Sequence, residues 1–157
     1  MKTECSSMDL SGVWRFEMAA KEDAGKFCET VKLPGSMDEN GKGIDNTANI
    51  SPTYLNRDRK YSGPAVYQRK IHIPAEWDGK SVILFLERTR KTRVWVDEAP
   101  IGSGQQKSYT TPHVYDLTGF VQAGAVHTLT VEVDNSPEGL PEAMYTTFEK
   151  DFPWGHM

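Results

Sequence analysis

The sequence contains only two cysteines, Cys5 and Cys28, among its 157 residues. They lie on separate segments and lack the spacing of a metal site, so they form one disulfide or none. We expect Cys28, which lies in a strand-like run, to be a small buried residue, because free cysteine packs like an apolar side chain. Cysteine thus indicates neither a disulfide-rich scaffold nor a metal centre.

Long apolar runs and positive net charge are also absent. No stretch approaches the roughly 20 apolar residues that span a bilayer, and no apolar signal segment follows Met1. The formal net charge is -4, whereas phosphate binding requires a basic surface. We therefore expect no membrane and no nucleic-acid partner. The cellular location stays open, with a periplasmic or secreted bacterial one favoured.

Motifs of common enzymes and cofactor sites are missing as well. The chain has no G-x-S-x-G elbow, no Walker loop and no H-E-x-x-H. The histidines have no ligand spacing, and we interpret them as half-buried structural residues: His72, His113, His127 and His156. The stretch Asp38 to Gly41 is similar to the start of a calcium loop but lacks the full pattern. We expect no cofactor and leave a structural calcium ion open.

The sequence is rich in alternation of apolar and polar residues between positions 61 and 135, in segments separated by Gly, Pro and Asp clusters. Because successive side chains of a strand point to opposite faces, this pattern predicts sheets with one buried face. In residues 65–73 one face is mostly apolar, and Trp95 points away from the face that Val94 and Val96 share. No segment has the period of a helix, and the length suits one domain with a substantial core.

The residues before position 61 predict a hairpin and a long irregular segment. Leu10 to Met18 is expected to be a strand with Val13 and Trp14 on opposite faces, and Phe27 to Leu33 the returning strand. Residues 1–9 are polar and expected to be poorly ordered. Residues 35–64 carry many Gly, Pro, Asp and Asn residues without a period. This segment is either a wandering surface loop or the lining of a sugar site or domain interface.

Charged and small residues lead to further predictions. A basic cluster follows one strand and consists of Arg88, Arg90, Lys91 and Arg93. We interpret it as a solvated, positively charged sheet edge. The alternative is a rim that donates hydrogen bonds to a glycan or an acidic group. Glu87 and Glu132 are expected to be edge or solvent-facing charges, because glutamates are seldom buried. Residues 102–108, a Gly/Ser/Gln stretch, are expected to form a loop.

Six pieces of the sequence, in order, carry a resemblance to a known family. They are Ser11 to Phe16 with Leu33 to Met37, then Tyr67-Gln68-Arg69 before Ile73-Pro74, Trp77-Asp78-Gly79, Val94 to Asp97, Thr111 to Thr118, and Leu129 to Asn135. This order resembles the N-terminal sugar-binding domain of family 2 glycoside hydrolases, which include bacterial β-galactosidases and β-glucuronidases. The resemblance covers nearly the whole chain. With the regularly spaced short strands it predicts an all-β fold, a galactose-binding-like jelly-roll β-sandwich.

The sequence departs from the family in two places. Asp97-Glu98-Ala99-Pro100 stands where the family has Asn-Gly in a tight turn, so we expect a longer turn or one of another type. Residues 136–157 are expected to be an extended tail that stops before the strand that completes the family's sheet. The edge left unpaired would favour self-association.

The resemblance implies a non-catalytic role for a single domain spanning residues 1–157. Family 2 enzymes are retaining glycosidases whose two catalytic carboxylates, about 5 Å apart, lie in a separate (β/α)8 barrel reached after an immunoglobulin-like domain. This chain has neither the length nor the βα alternation of a barrel, so it should be inactive alone. The expected role is to shape the pocket of a β-galactosidase-like exo-glycosidase. A free-standing carbohydrate-binding module and a purely structural scaffold are the alternatives.

A sugar site requires a stacking aromatic ring beside planar polar groups. The aromatic candidates are Trp14, Tyr61, Trp77, Trp95, Tyr109 and Trp154. In the family the first domain contributes loop residues to one side of the pocket. By resemblance, we expect carbohydrate contacts at Asn46, Tyr61, Arg88 and Lys91, as positioning groups and not as catalysts. Trp77 lies in a predicted turn and is added as an exposed stacking platform, with a lid on the sheet edge as the alternative. Trp95 is expected to lie half in the core.

Overall fold

The computed structural model describes residues 5–47, 57–108 and 110–136. Its strands are β1 (Gly12–Glu17), β2 (Glu29–Leu33), β3 (Ile44–Asp45), β4 (Arg59–Lys60), β5 (Pro64–His72), β6 (Ile83–Leu86), β7 (Lys91–Val96), β8 (Ala99–Lys107), β9 (His113–Asp116) and β10 (Val126–Asp134). One short 3-10 helix, Ala75–Trp77, follows β5. No helix in these ranges is long and apolar enough to cross a membrane. The expectations for residues 1–4 and 137–157 lie outside the described residues.

The strands form one large antiparallel sheet and two small ones. The large sheet has the order β2-β1-β5-β10-β7-β8, while β3 pairs with β4 and β6 pairs with β9. Strand β10 is central, and its residues 126–134 pair with β5 on one side while residues 129–134 pair with β7 on the other. The predicted all-β sandwich is confirmed.

The core lies between the inner face of the large sheet and the β6–β9 pair. Alternate residues of the large sheet supply most of it, and β6 and β9 supply Leu84 and Tyr115 from the opposite side. The predicted faces are confirmed in β1, where Trp14 is buried and Val13 is exposed, and in β7, where Val94 and Val96 are buried. Burial of each large apolar side chain stabilises the fold by roughly 1.5–3 kcal/mol. The alternation of apolar residues therefore drives the packing of the two sheets.

The segment after β1 covers part of the outer face of the large sheet. The carboxylate of Glu17 accepts hydrogen bonds from the backbone N–H groups of Gly25, Lys26 and Phe27, each at 3.0 Å. These bonds lower the pKa of Glu17, and the bond from Phe27 N–H has the largest effect. The carboxylate therefore holds the returning chain against the sheet.

Glu132 lies beneath this segment, and the prediction that it faces solvent is wrong. Its side chain is 1% exposed. Lys21 N–H donates to Oε2 at 2.8 Å and the Nε of Arg93 donates to Oε1 at 2.8 Å. A carboxylate is tolerated in such a place because both oxygens are paired. Glu87, by contrast, is exposed as predicted.

Two predicted loops contain strands. Residues 102–107 belong to β8, which pairs with β7 through a register shift between Thr92 and Val94. Backbone pairing overrides the low strand preference of Gly and Ser there. The irregular segment 35–64 contains the short β3–β4 ladder, with Gly43 at a φ of 110° and the backbone of Lys60 2.8 Å from where a Cβ would lie. Only glycine fits that approach.

The turn at Asp97-Glu98 is tight, so the expectation of a longer turn or another type is wrong. Val96 pairs directly with Ala99, and Asp97 and Glu98 have positive φ angles of 46° and 71°. That is the two-residue type I′ geometry, which suits the twist of a hairpin. Asp97 is held there because its Oδ1 accepts a hydrogen bond from Thr128 N–H at 2.7 Å, and its Oδ2 lies 2.5 Å from Nδ1 of His127.

The prediction that Cys28 is buried is also wrong. Cys28 and Cys5 are both exposed and both free. Strand β2 begins only at Glu29 and buries Val31, so Cys28 precedes the strand and lies outside the apolar alternation. No disulfide joins the two cysteines.

Candidate functional site

Three of the predicted contact residues lie at the same end of the sandwich. In the register, Lys91 of β7 is opposite Asp134 of β10, and Asp134 is opposite Pro64 of β5. Tyr61 lies just before β5, and Arg88 lies between β6 and β7. We call this region the polar end, defined by Tyr61, Arg88, Arg90, Lys91, Asp134 and Asn135.

Asn135 joins the strands at the polar end. Its Oδ1 accepts a hydrogen bond from the buried N–H of Gly63 at 2.8 Å, and its Nδ2 donates to the carbonyl of Tyr61 at 2.9 Å. Its own carbonyl accepts from Nη1 of Arg90 at 3.3 Å. The side chain thus links the end of β10 to the connection before β5. The sequence indicated Asn135 only as the last residue of an alternating strand.

Lys91 is buried, which corrects the interpretation of the basic cluster as a solvated edge. Its side chain is 3% exposed, and Nζ lies 3.2 Å from Oδ2 of Asp134. Arg90 is also buried, whereas Arg88 is exposed as predicted. Strand β7 lies inside the sheet between β10 and β8, so cations at its beginning are covered and need acceptors.

Asp134 is held as a carboxylate. Burial alone would raise its pKa, but hydrogen bonds from the hydroxyl and N–H of Ser136, and then the ammonium of Lys91, outweigh burial and lower the pKa. A general acid of a glycosidase requires the opposite, a raised pKa. Asp134 therefore acts as a structural counter-ion for Lys91.

Tyr61 contacts the chain around it closely. Its hydroxyl donates to the carbonyl of Pro64 at 2.6 Å, and its ring packs partly against the core. A Cβ on Gly63 would lie 3.2 Å from this hydroxyl, and Gly63 has a φ of 140°. Burial, and then the charge of Asp134, raises the pKa of Tyr61. The half-buried ring is fixed in orientation, as a stacking platform requires.

Arg88 is the polar end's exposed cation. It has a positive φ of 55°, which a non-glycine residue adopts at a local cost of about 1–2 kcal/mol. The buried neighbours Thr89 and Arg90 anchor the chain directly after it. Its guanidinium is a planar donor that can pair with ring hydroxyls or with a carboxylate.

Behind the polar end lies a buried polar cluster that sequence reasoning missed. The Oγ1 of Thr92 lies 2.5 Å from Nδ1 of His113 and 2.8 Å from the hydroxyl of Tyr115. Burial lowers the pKa of His113, and the backbone of Ser108 partly opposes this. A neutral imidazole in this cluster tethers β9 to β7, which agrees with the structural role predicted for it.

Asn46 and Trp77 are not among the residues that define the polar end. Asn46 follows β3, where its Nδ2 donates to the carbonyl of Arg57 at 3.0 Å. Trp77 ends the 3-10 helix after β5, at the opposite end of the large sheet, and packs partly against the core. Of the two roles considered for Trp77, its packing fits a lid on the sheet. Trp95 is half-buried as expected, while Tyr109 and Trp154 are outside the described residues.

The acidic stretch at Asp38 has partners within the protein. Oδ1 of Asp38 accepts from the N–H of Arg59 at 2.7 Å, and Oε2 of Glu39 accepts from the N–H of Ser36 at 2.7 Å. Ser36 Oγ in turn accepts from Glu39 N–H at 3.1 Å, so the pair forms a reciprocal capping box. Within residues 5–47, 57–108 and 110–136, no group of three or more His, Cys, Asp or Glu side chains could hold a metal ion.

This geometry agrees with a comparison against known families. Residues 8–152 match the family described as glycosyl hydrolases family 2, sugar binding domain. The match covers most of the chain, so the chain belongs to this family. The resemblance inferred from the sequence is confirmed.

Solved structures with the same fold include two bacterial β-glucuronidases. The enzyme from Faecalibacterium prausnitzii has a TM-score of 0.63 and 22% identity over 95% of this chain and 28% of that chain. The enzyme from Ruminococcus gnavus, solved in complex with D-glucuronic acid, has a TM-score of 0.59 and 20% identity over 80% of this chain and 21% of that chain. The chain thus spans less than a third of their length.

Proposed function

We propose that this chain is the non-catalytic N-terminal sugar-binding domain of a retaining exo-glycosidase of family 2. In this proposal its polar end forms one side of a pocket whose catalytic carboxylates lie in a (β/α)8 barrel. The family match over residues 8–152 carries the proposal. The lowered pKa of Asp134 also argues against a general-acid role for this carboxylate.

The residues proposed to contact carbohydrate are Tyr61 and Arg88, supported by Lys91. Tyr61 supplies a half-buried ring fixed by the bond to Pro64, and Arg88 supplies an exposed planar donor. Lys91 is buried against Asp134, so its role is to hold the backbone beneath Arg88 in place. Asn46 and Trp77 remain proposed contacts with a smaller expected contribution, because the Asn46 amide donates to the carbonyl of Arg57 and Trp77 packs partly against the core.

The direct test is a sugar titration of the full chain followed by amide and indole NMR signals. Methyl β-galactoside, methyl β-glucuronide and methyl β-glucoside serve as probes, because the galactoside was expected from the sequence and the glucuronide matches the similar solved enzymes. We expect the largest shifts at Tyr61 and Arg88 and a smaller shift at the Trp77 indole. Arg88→Ala should abolish the shifts, whereas Lys80→Ala, an exposed cation on the far side, should leave them unchanged.

Two other outcomes favour the alternative functions. Tight binding of an oligosaccharide by the isolated chain would favour a free-standing carbohydrate-binding module. Absence of any shift would favour a scaffold domain. Shifts centred on Trp77 would contradict the assignment of the polar end.

The proposed partners are the immunoglobulin-like and barrel domains of a family 2 enzyme, and a second copy of the chain through an unpaired sheet edge. Among the described strands, β6 is one with an open edge, since its only ladder is with β9. Leu117 N–H donates to the carbonyl of Val82, so the alternation directs the backbone N–H and C=O groups of Ile83 and Phe85 to that edge. Their side chains are 50% and 59% exposed. Sedimentation velocity across a concentration series tests this self-association.

A further inference from the structure

Two side-chain amides pair with the backbone at edges of the sheets. The first belongs to Asn40, in the loop that follows β2. Its Oδ1 accepts from the N–H of Lys32 at 2.7 Å and its Nδ2 donates to the carbonyl of Lys32 at 3.1 Å. The same Nδ2 is fixed by the carbonyl of Ser36 at 2.8 Å. Strand β2 is the outermost strand of the large sheet, so Asn40 occupies its open edge.

The second amide belongs to Gln106 of β8 and repeats the arrangement on β9. Its Nε2 donates to the carbonyl of Val114 at 2.7 Å, and its Oε1 accepts from the N–H of Val114 at 3.2 Å. Val114 faces Phe85 of β6 across the ladder. Its N–H and C=O are directed away from β6, toward the edge of β9 that β8 approaches without forming a ladder with it.

In both places one carboxamide supplies the acceptor and the donor that a residue of an added strand would supply. Exposed edges with free N–H and C=O groups recruit other chains, and proteins protect them in various ways. We propose that Asn40 and Gln106 are edge guards, which occupy the backbone pairing positions of β2 and β9 and so prevent a second copy of the chain from adding to those edges. The proposal is independent of sugar binding.

The chain's loops fit this role. The capping box of Ser36 and Glu39 shapes the loop that presents Asn40. Gln106 lies beside the register shift of β8, opposite Thr92, where the strand can direct a side chain toward β9. Neither amide is needed for the core, because neither residue belongs to the buried cluster.

The test compares self-association of full-chain variants by sedimentation velocity over a concentration series. Asn40→Ala and Gln106→Ala remove the guards, and we expect each to begin associating at a roughly tenfold lower concentration than the natural chain, as expected for losing about two competing hydrogen bonds. Asn40→Asp and Gln106→Glu keep the acceptor and add charge, which itself protects an edge. These acidic variants should begin to associate at the same concentration as the natural chain.

The matched control is Ser36→Ala, which weakens the same loop but leaves the Asn40 amide in place. If Ser36→Ala associates as strongly as Asn40→Ala at equal stability, association follows from destabilisation and the proposal is overturned. It is also overturned if the Ala variants associate no more than the natural chain.

Hydrogen exchange of the natural chain provides a second measurement that needs no variant to fold. The N–H of Lys32 is paired with Asn40, whereas the alternation turns the N–H of Thr30 to the same edge without an amide partner. We expect Lys32 to exchange at least about tenfold more slowly than Thr30. Equal exchange rates would show that the Asn40 amide does not occupy the edge in solution and would overturn the proposal for β2.

Discussion

The two ends of the sandwich place similar residues in opposite environments. At the polar end Lys91 and Asn135 are buried and fully engaged. At the other end, which we call the turn end and define by Trp77, Asp97, Glu98 and His127, Asp97 and Glu98 are exposed. The comparison shows that a position at the end of a sheet does not by itself expose a polar residue to water. Whether such a residue is buried depends on which chain segments cross that end of the sheet.

The polar end is covered because chain connections meet there. The segment before β5, the connection from β6 to β7 and the end of β10 all contact Asn135 or Lys91. At the turn end Asp97 and Glu98 themselves form the two-residue turn between β7 and β8, so this connection has no further residues to cover them. Variants at both ends can sharpen or break this contrast.

The largest effect is expected for Asn135→Ala. The change removes the acceptor of the buried Gly63 N–H and a donor to the carbonyl of Tyr61, and losing the partner of a buried polar group costs about 1–3 kcal/mol. We expect the free energy of unfolding to fall by about 3 kcal/mol in urea denaturation. Gln122→Ala at the turn end is the control and should change it by less than about 0.5 kcal/mol. Similar losses for both variants would remove the contrast between the ends.

A somewhat smaller loss is expected for Lys91→Met. The methionine fills a similar volume but leaves Asp134 without its cation, and breaking a covered ion pair typically costs about 3–5 kcal/mol. Because Asp134 retains its bonds to Ser136 and is 17% exposed, we expect about 2 kcal/mol. The double variant with Asp134→Leu should recover part of this loss. Lys80→Met, on an exposed lysine, provides the baseline.

The next effect is a change in pH dependence at the turn end. The N–H of Thr128, and then His127, lower the pKa of Asp97. The ionised form therefore favours the native state, and this contribution is complete above the unfolded pKa of about 3.9 and is lost as pH falls through the lower folded pKa. Asp97→Asn should flatten the loss of stability in acid. Thermal unfolding of both proteins from neutral to acidic pH measures this pH dependence of stability. Parallel curves of melting temperature against pH would contradict the prediction.

The smallest effect is expected for Glu98→Gly, and it is a gain. Glu98 has a φ of 71°, and glycine relieves about 1 kcal/mol of strain at such a position. The lost ion pair with Lys21 is on an exposed carboxylate, where such pairs contribute little. We expect a rise of about 0.5 kcal/mol in stability. Glu98→Ala, which loses the ion pair without the relief, is the control and should not be stabilised.

The sequence predicted part of the candidate site. Tyr61 and Arg88 were proposed from the resemblance, and the structure brings both to one end. Asn135, Asp134 and the burial of Lys91 were not anticipated, because their partners lie far along the chain: Gly63 and Asn135 are separated by 72 residues. No local pattern encodes such pairs.

The amino-acid sequence by itself determined the all-β class, the buried faces of β1, β5, β7 and β10, and the family. The fold class and the strand faces depend on period-two alternation, which is a local property that each strand carries alone. The family was inferred separately, from the resemblance carried by the ordered pieces of the sequence. Tertiary structure decided which charges are buried, as with Glu132 and Lys91, and which turn Asp97 and Glu98 form. The reason is physical: a charge can be buried only where distant groups supply its hydrogen bonds, and a strained turn persists only where neighbouring strands hold it.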